Sequence, residues 1–277
     1  MNLLGIDFED WYHIELVQKY FKPKKPEAKI VLGINKILDW LETTDTYATF
    51  FMVGDLLEQQ PQLFDKIIKN GHEIAFHTMH HSRIDTSMNA ETFTKEIEQF
   101  AQLTSKKSRG FRAPSFSLNS TSSWVLDILT KNNYIYDSSV MPAKTRLYGL
   151  PNAETKPYKI SSTSIEKNDP ASNLMEFPLL TTKILGKTIP AAGGFYLRFL
   201  PPKIIEQAIK KNEAKQIPSS IYIHSWELTP EFMPKLNMPF VDGFITYHNL
   251  KKAFPRINVL LKKFKFTSFE RFMRNKT

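Results

Sequence analysis

The 277-residue chain predicts a parallel α/β fold, and three observations carry that expectation. Apolar, β-rich segments alternate with longer stretches whose apolar residues recur at helical spacing. Chemically active side chains gather where those β-segments end: Asp7, Glu9 and Asp10 after the first, His77 and His81 after the third, then Arg112, Asp137 and His224. Parallel strands closed into a barrel bring such ends to one rim, where active sites are built. No internal repeat, low-complexity tract or linker composition breaks the pattern, so residues 1–277 are expected to form one domain.

The elements come in order. "NLLGIDF" is apolar enough to be a strand buried on both faces. "IVLGINKILDWLETT" has helical spacing, "YATFFMVG" reads as a second buried strand, and "LLEQQPQLFDKIIKNG" as a helix stopped by Asn70-Gly71. "HEIAFH" is a third strand, "NAETFTKEIEQFAQLTS" an amphipathic helix, and "SRGFRAPSF" a short strand entering a loop. "TSSWVLDILTKNNY" is a helix opened by a Ser/Thr cap region, leading to "IYDSS". Beyond residue 145 polar loop and short strands are expected, before "LMEFPLL" and "TIPAAGGFYLRFLP" resume β-like character. The Gly193-Gly194 pair allows either a close backbone approach or a turn to an edge strand. "PPKIIEQAIKKNEAK" is a helix, "SSIYIHSWEL" comes after it, and "GFITYHNLKKAFPRINVLLKKF" is helical in part. The terminal "VLLKKFKFTSFERFMRNKT" reads as a strand and helix closing the barrel, with peripheral membrane contact as the alternative.

Composition narrows the chemistry. With 42% hydrophobic residues the chain can build a substantial core, and the absence of cysteine excludes disulfides and thiolate metal sites. A metal would have to be held by imidazole, carboxylate or water. The net charge of +9 permits anionic partners, but much of the excess sits in small lysine clusters, "KPKK" at 22–25 and "KKFK" at 262–265. No arginine-rich arm, zinc finger or ribonucleoprotein motif appears, so nucleic-acid binding is not expected. No run of 18 apolar residues predicts a membrane span, and no basic segment followed by an apolar stretch predicts a secretory signal. The expected location is therefore the cytoplasm; the sequence leaves the oligomeric state open.

Two short stretches carry the chemistry. "GIDFEDWYH" packs Asp7, Glu9 and Asp10 into four positions, and such mutually repelling acids need a cation or a shared proton. "FHTMHH" spaces His77 and His81 by four, which on a helical turn would aim both imidazoles at one ion. Thr78 stands where zinc peptidases carry glutamate, so a base must come from elsewhere, and the acidic cluster can supply it. Two histidines and one carboxylate leave a coordination position for water, as a catalytic metal requires.

With these residues the chain resembles the NodB-like polysaccharide deacetylases, carbohydrate-esterase family four, in the branch whose first motif reads D-V-E-D-[WY]-[FY]. The resemblance runs from residue 1 to about 230 through "DFEDWYH", "HTMHH", "FRAPSFS", "YDSS" and "IYIHSWE", in the family's order. It implies a distorted, TIM-like (β/α) barrel of about seven parallel strands and metal-assisted removal of acetyl from an N-acetylated sugar. Asp10, His77 and His81 match the metal triad, usually zinc, with cobalt or nickel as alternatives. The general base is Glu9, which precedes the metal aspartate, or Asp7, which two residues separate from it. Arg112 matches the arginine that orients the base, His224 the general acid, and Asp137 the carboxylate that supports it. The tryptophan expected four residues after Asp137 is replaced by Met141, and Trp226 is the candidate for that wall. Trp11 and His13 are candidates to line the sugar site and Arg198 to reach substrate. The substrate class implied is a surface polysaccharide or its lipid- or nucleotide-linked precursor. A same-fold hydrolase of a cyclic ureide or imide and a catalytically inactive sugar-binding relative are the rival readings.

Overall fold

Every residue of the first strand, β1 (Asn2–Phe8), is buried, and its two faces serve different ends. Side chains alternate along a strand. Leu4, Ile6 and Phe8 join the large apolar core under the helices, whereas Leu3 packs with Phe51, Tyr136 and Phe269 inside the sheet's curl. Asp7 shares the inner face with Leu3 and Gly5. The computed structural model describes residues 1–22, 24 and 26–275, so the lysine cluster at 22–25 lies partly outside the described residues.

The further strands are β2 (Thr49–Met52), β3 (Glu73–Phe76), β4 (Gly110–Phe111), β5 (Tyr136–Asp137), β6 (Tyr158–Lys159), β7 (Met175–Glu176), β8 (Thr181–Ile184), β9 (Lys187–Pro190), β10 (Ser220–His224) and β11 (Phe266–Thr267). Seven of them run parallel in the order β10-β1-β2-β3-β4-β5-β7. β6 adds antiparallel to β7, and β11 lies parallel to β1 beside Asn2 and Leu3. Bridges from Leu179 to Ser220 and from Gly193 to Tyr222 tie β10 to the chain beyond β7, so the sheet curls back on itself. A Cβ at Gly193 would lie 1.8 Å from the Tyr222 carbonyl oxygen, which resolves the Gly-Gly reading in favour of close backbone approach.

Helices Ile34–Thr43, Ala90–Leu103, Trp124–Lys131, Pro202–Glu213 and Ala253–Lys263 cover the outer face. Asn89 caps the second of these, its side chain accepting from Thr92 N at 2.9 Å. Two expectations change. "LLEQQPQLFDKIIKNG" forms two helices, Gly54–Gln59 and Gln62–Lys69, because Pro61 forces Gln60 out of helical geometry (φ −141°, ψ 70°). The β-like stretch "TIPAAGGFYLRFLP" keeps its strand only to Pro190, after which Gly194–Phe199 is helical. At the C-terminus β11 and helix Phe269–Arg274 close the inner end of the sheet, with Phe269 stacked on Tyr136 at 5.2 Å. Among the described residues no helix is long and apolar enough to cross a membrane.

Candidate active site

The inner face of the parallel strands delivers Asp7, His77, Tyr222 and His224 to one cavity, which Glu9, His81 and Trp226 complete. Asp7 is fixed by Arg112, whose Nη1 donates to Oδ1 at 2.6 Å. The contact is single: Nε and Nη2 of Arg112 donate to the carbonyl and hydroxyl of Ser138, at 3.0 and 2.9 Å. The fully buried guanidinium lies 3.9 Å from the centre of the Phe51 ring, and a Cβ on Gly5 would come within 2.6 Å of it.

His77 directly follows β3, and its Nδ1–H donates to the Arg112 carbonyl at 2.6 Å, which leaves Nε2 for the cavity. Burial pushes its pKa down to about 4, keeping the ring neutral and able to ligate. The expected helical turn from His77 to His81 does not form. Gly54 N and Asp55 N take the carbonyls of Thr78 and Met79 at 3.0 and 2.9 Å, and Met79 N donates to Glu96 at 2.8 Å. With its backbone engaged elsewhere, the loop places Thr78 and His81 at φ 59° and 54°. The imidazoles still converge, with ring centres 5.0 Å apart.

The carboxylate that meets them is Glu9. Ligand atoms of Glu9, His77 and His81 all lie within 4.8 Å of one another, and Glu9 Oε2 stands 2.6 Å from His81 Nε2. Burial opposes ionisation of Glu9, but the charge and hydrogen bond of His81, with charge from His224 and His77, hold it well below the usual carboxylate range. The triad expected of Asp10, His77 and His81 is thereby corrected. Asp10 Oδ1 accepts from Trp11 N at 2.7 Å and Oδ2 from Ile30 N at 2.8 Å, so both oxygens cap backbone. The set that does assemble fits a divalent ion: among the described residues Glu9 Oε2 makes no hydrogen bond to anything beyond His81, and a carboxylate with two imidazoles is a donor set suited to zinc and its neighbours.

Beside Asp7, its register partner on β1, His224 Nδ1 pairs with Glu227 Oε2 at 2.7 Å, and the same oxygen accepts from His224 N at 3.1 Å. Burial disfavours the imidazolium, yet the Glu227 charge and hydrogen bond, aided by Glu9 and Asp7, raise the His224 pKa to about 9. His224 is stacked on Trp226, with ring centres 5.0 Å apart and planes at 16°, and Trp226 Nε1 donates to Glu9 Oε1 at 2.9 Å. Arg198 in turn holds Glu227, Nε to Oε1 at 2.5 Å, and its Nη atoms donate to the carbonyls of Ile245, Thr246 and His248. Arg198 borders the cavity, but its guanidinium is committed to Glu227 and backbone rather than turned to substrate.

Asp137, expected beside His224, lies elsewhere. It pairs in register with Glu176 across β5 and β7, and its Oδ1 accepts from Ser139 Oγ at 2.5 Å. Burial raises the pKa of both carboxyls, and Asp137's charge adds to the rise of Glu176 well above its usual range. Ser139 accepts from Ala113 N at 2.8 Å, so Asp137 steadies the backbone next to Arg112. His13 is likewise turned away from the cavity: Nδ1 accepts from Asp10 N at 3.0 Å, and Nε2 meets Asp55 at 3.1 Å. Trp11 packs edge-on against Tyr12, outside the cavity lining. Of the expected substrate-lining residues, Trp226 faces the cavity with its side chain available as a wall. Glu227 is the carboxylate on His224 that sequence reasoning missed, although its place three residues after His224 at a helix start is a capping-box spacing.

Residues 31–134 match the family model described as polysaccharide deacetylase, and residues 138–274 match one described as a domain of unknown function (DUF3473). Residues 31–134 thus carry a polysaccharide-deacetylase domain. The polysaccharide-deacetylase match contains His77, His81 and Arg112, whereas Arg198, His224 and Glu227 fall in the second match. The chain is 32% identical over 116 residues to an uncharacterized protein, YlxY, of Bacillus subtilis, covering 38% of this chain and 35% of that one. It is 44% identical over 46 residues to a peptidoglycan-N-acetylglucosamine deacetylase of Bacillus cereus, covering 17% and 22%. The chain thus spans about a third or less of these curated relatives' lengths. A solved structure of a putative polysaccharide deacetylase from Mycobacterium smegmatis shares the fold, with a TM-score of 0.56, 13% identity and coverage of 99% of this chain and 90% of that one.

Proposed function

We propose that the protein is a metal-dependent hydrolase that removes N-acetyl groups from an amino sugar of a polysaccharide or its precursor. The observation that carries this reading is the two proton-handling groups, Asp7 held by Arg112 and His224 held by Glu227, in one cavity with Glu9, His77 and His81. Glu9, His77 and His81 would hold the ion, zinc in the first instance with cobalt or nickel as alternatives. Bound there, it supplies Lewis acidity, activating water and polarising the amide carbonyl.

The chain's own residues do the rest. Arg112 holds one oxygen of Asp7 and aims the carboxylate, and the second oxygen takes the proton as water attacks the amide carbon. His224 stays protonated because Glu227 lies on its Nδ1, and Nε2–H donates to the amine as the C–N bond breaks. Trp226 fixes the ring plane of His224, and Arg198 fixes Glu227. Retention of both proton-handling pairs favours catalysis over the inactive sugar-binding reading. The decisive assay is acetate release from N-acetylglucosamine oligosaccharides before and after chelation. Loss on chelation with recovery on adding zinc or cobalt is expected. Activity that survives exhaustive chelation would sink the metal assignment, and turnover of a cyclic ureide without acetate release would move the protein to the rival hydrolase class.

A further inference from the structure

The rim of the cavity continues into an exposed apolar face. Helix Phe240–Tyr247 leaves Phe240 86%, Val241 53% and Phe244 39% exposed, and Phe199 of the neighbouring Gly194–Phe199 helix is 52% exposed. The rings form one patch. Phe195 stacks on Phe199 at 5.2 Å and meets Phe244 at 6.1 Å, and Phe244 stacks on Phe240 at 6.4 Å. Phe195 and Ile245 also line the cavity, so patch and cavity share a border. Exposed apolar surface of this kind marks a contact with something.

The charges around the patch say what. Asp242, the acid on the helix, is turned inward and buried, accepting from Tyr20 OH at 2.7 Å and Arg146 at 3.4 Å. The exposed charges nearest along the chain are basic: Lys187 before Phe195, Lys203 after Phe199, Lys235 before Phe240, and Lys251 and Lys252 after Tyr247. Phenylalanine and valine carry no polar tip to hydrogen-bond sugar hydroxyls. A second copy meeting the same patch would set these lysines against one another. An apolar surface whose adjoining chain segments carry exposed lysines and no exposed acid between them and the rings complements anionic lipid.

We propose that this phenylalanine face docks the protein on an anionic phospholipid bilayer, with the mouth of the cavity at the lipid surface. The contact is independent of the reaction assigned above, because vesicle binding reads the one and acetate release the other. The test is co-sedimentation of the purified chain with phosphatidylcholine vesicles, with and without phosphatidylglycerol, beside a Phe240→Ser/Val241→Ser variant and a Lys251→Glu/Lys252→Glu variant. The wild type should pellet with the phosphatidylglycerol vesicles and stay in solution with phosphatidylcholine alone. The apolar variant should lose about tenfold or more in vesicle affinity, the charge variant should lose about tenfold at low salt, and both should turn over a small water-soluble substrate at the wild-type rate. A wild type that never pellets, or variants that pellet equally well, would overturn the proposal. So would a concentration-dependent dimer abolished by the apolar variant without any vesicle binding.

Discussion

Asp7 and Glu9 sit two positions apart and meet different partners because the strand ends between them. Asp7 is still on β1, on the inner face that strand parity assigns it, and Arg112 meets it there. Glu9 lies past Phe8, its direction set by Ser225 Oγ accepting from its backbone N–H at 3.0 Å and by Trp226 on its side chain. Exchange of each carboxylate for its amide therefore separates the roles. Asp7→Asn should keep bound metal and lose about 10²- to 10⁴-fold in turnover, whereas Glu9→Gln should lose metal as well as activity. Metal analysis beside acetate-release rates checks both, and equal metal loss in the two variants would refute the division. The sequence displayed the acids, the two histidines, Arg112 and His224 because each stands at a strand end. It could not show that Asp10 is consumed by the backbone N–H groups of Trp11 and Ile30, since Ile30 arrives from 20 residues away. For the same reason Glu227 displaced Asp137 as the partner of His224: two acids near two strand ends are alike in sequence until the sheet is assembled.

At the scale of elements, strand positions were legible in the apolar runs, but their lengths were not. β4, β5 and β7 are each two residues long, because their chains leave the ladder as soon as Arg112, Ser138 and Phe177 are delivered. The inner end of β3 shows how an element is tied by one buried acid. Glu73 accepts from Tyr136 OH at 2.6 Å, from Thr49 Oγ1, and from Glu270 N at 3.0 Å, so it anchors the start of helix Phe269–Arg274. Burial raises its pKa from 4.5 to about 7, against the hydrogen bonds from Thr49, Tyr136 and Glu270 N. The folded state thus holds the proton more tightly than the unfolded chain. This contribution is fully present below pH 4.5 and is lost as pH rises through about 7. Wild-type stability should fall across that window by up to about 3 kcal/mol from this group, while Glu73→Gln, which cannot titrate, should show a flatter curve. Parallel unfolding curves for the two proteins from pH 4 to 8 would refute the assignment.

For the whole molecule, the two ends of the chain meet on β1, which β10 and β2 flank and β11 extends, so the first strand is held by the last third of the sequence. The resemblance to a family motif set could extend only to residue 230 or so, yet the C-terminal segment beyond it seals the inner end of the sheet. Phe269 is fully buried and touches Phe51, Tyr136 and Phe177 at ring-centre distances of 5.2–5.5 Å. Phe51 is the ring on which the Arg112 guanidinium rests, so this aromatic layer is the floor beneath the residue that aims Asp7. Phe269→Ala should therefore cost about 3–5 kcal/mol through the cavity it opens. Phe272→Ala, at the 8%-exposed margin of the same cluster, should cost less because water and neighbouring side chains can fill the space. Denaturant unfolding of both variants reads the difference. If Phe269 is a floor and not only a plug, its loss should also lower turnover at temperatures where the variant is still folded, because Arg112 would gain room to leave Asp7. Equal costs for the two substitutions, with turnover unchanged, would mean that the terminal helix merely covers a sheet already complete without it.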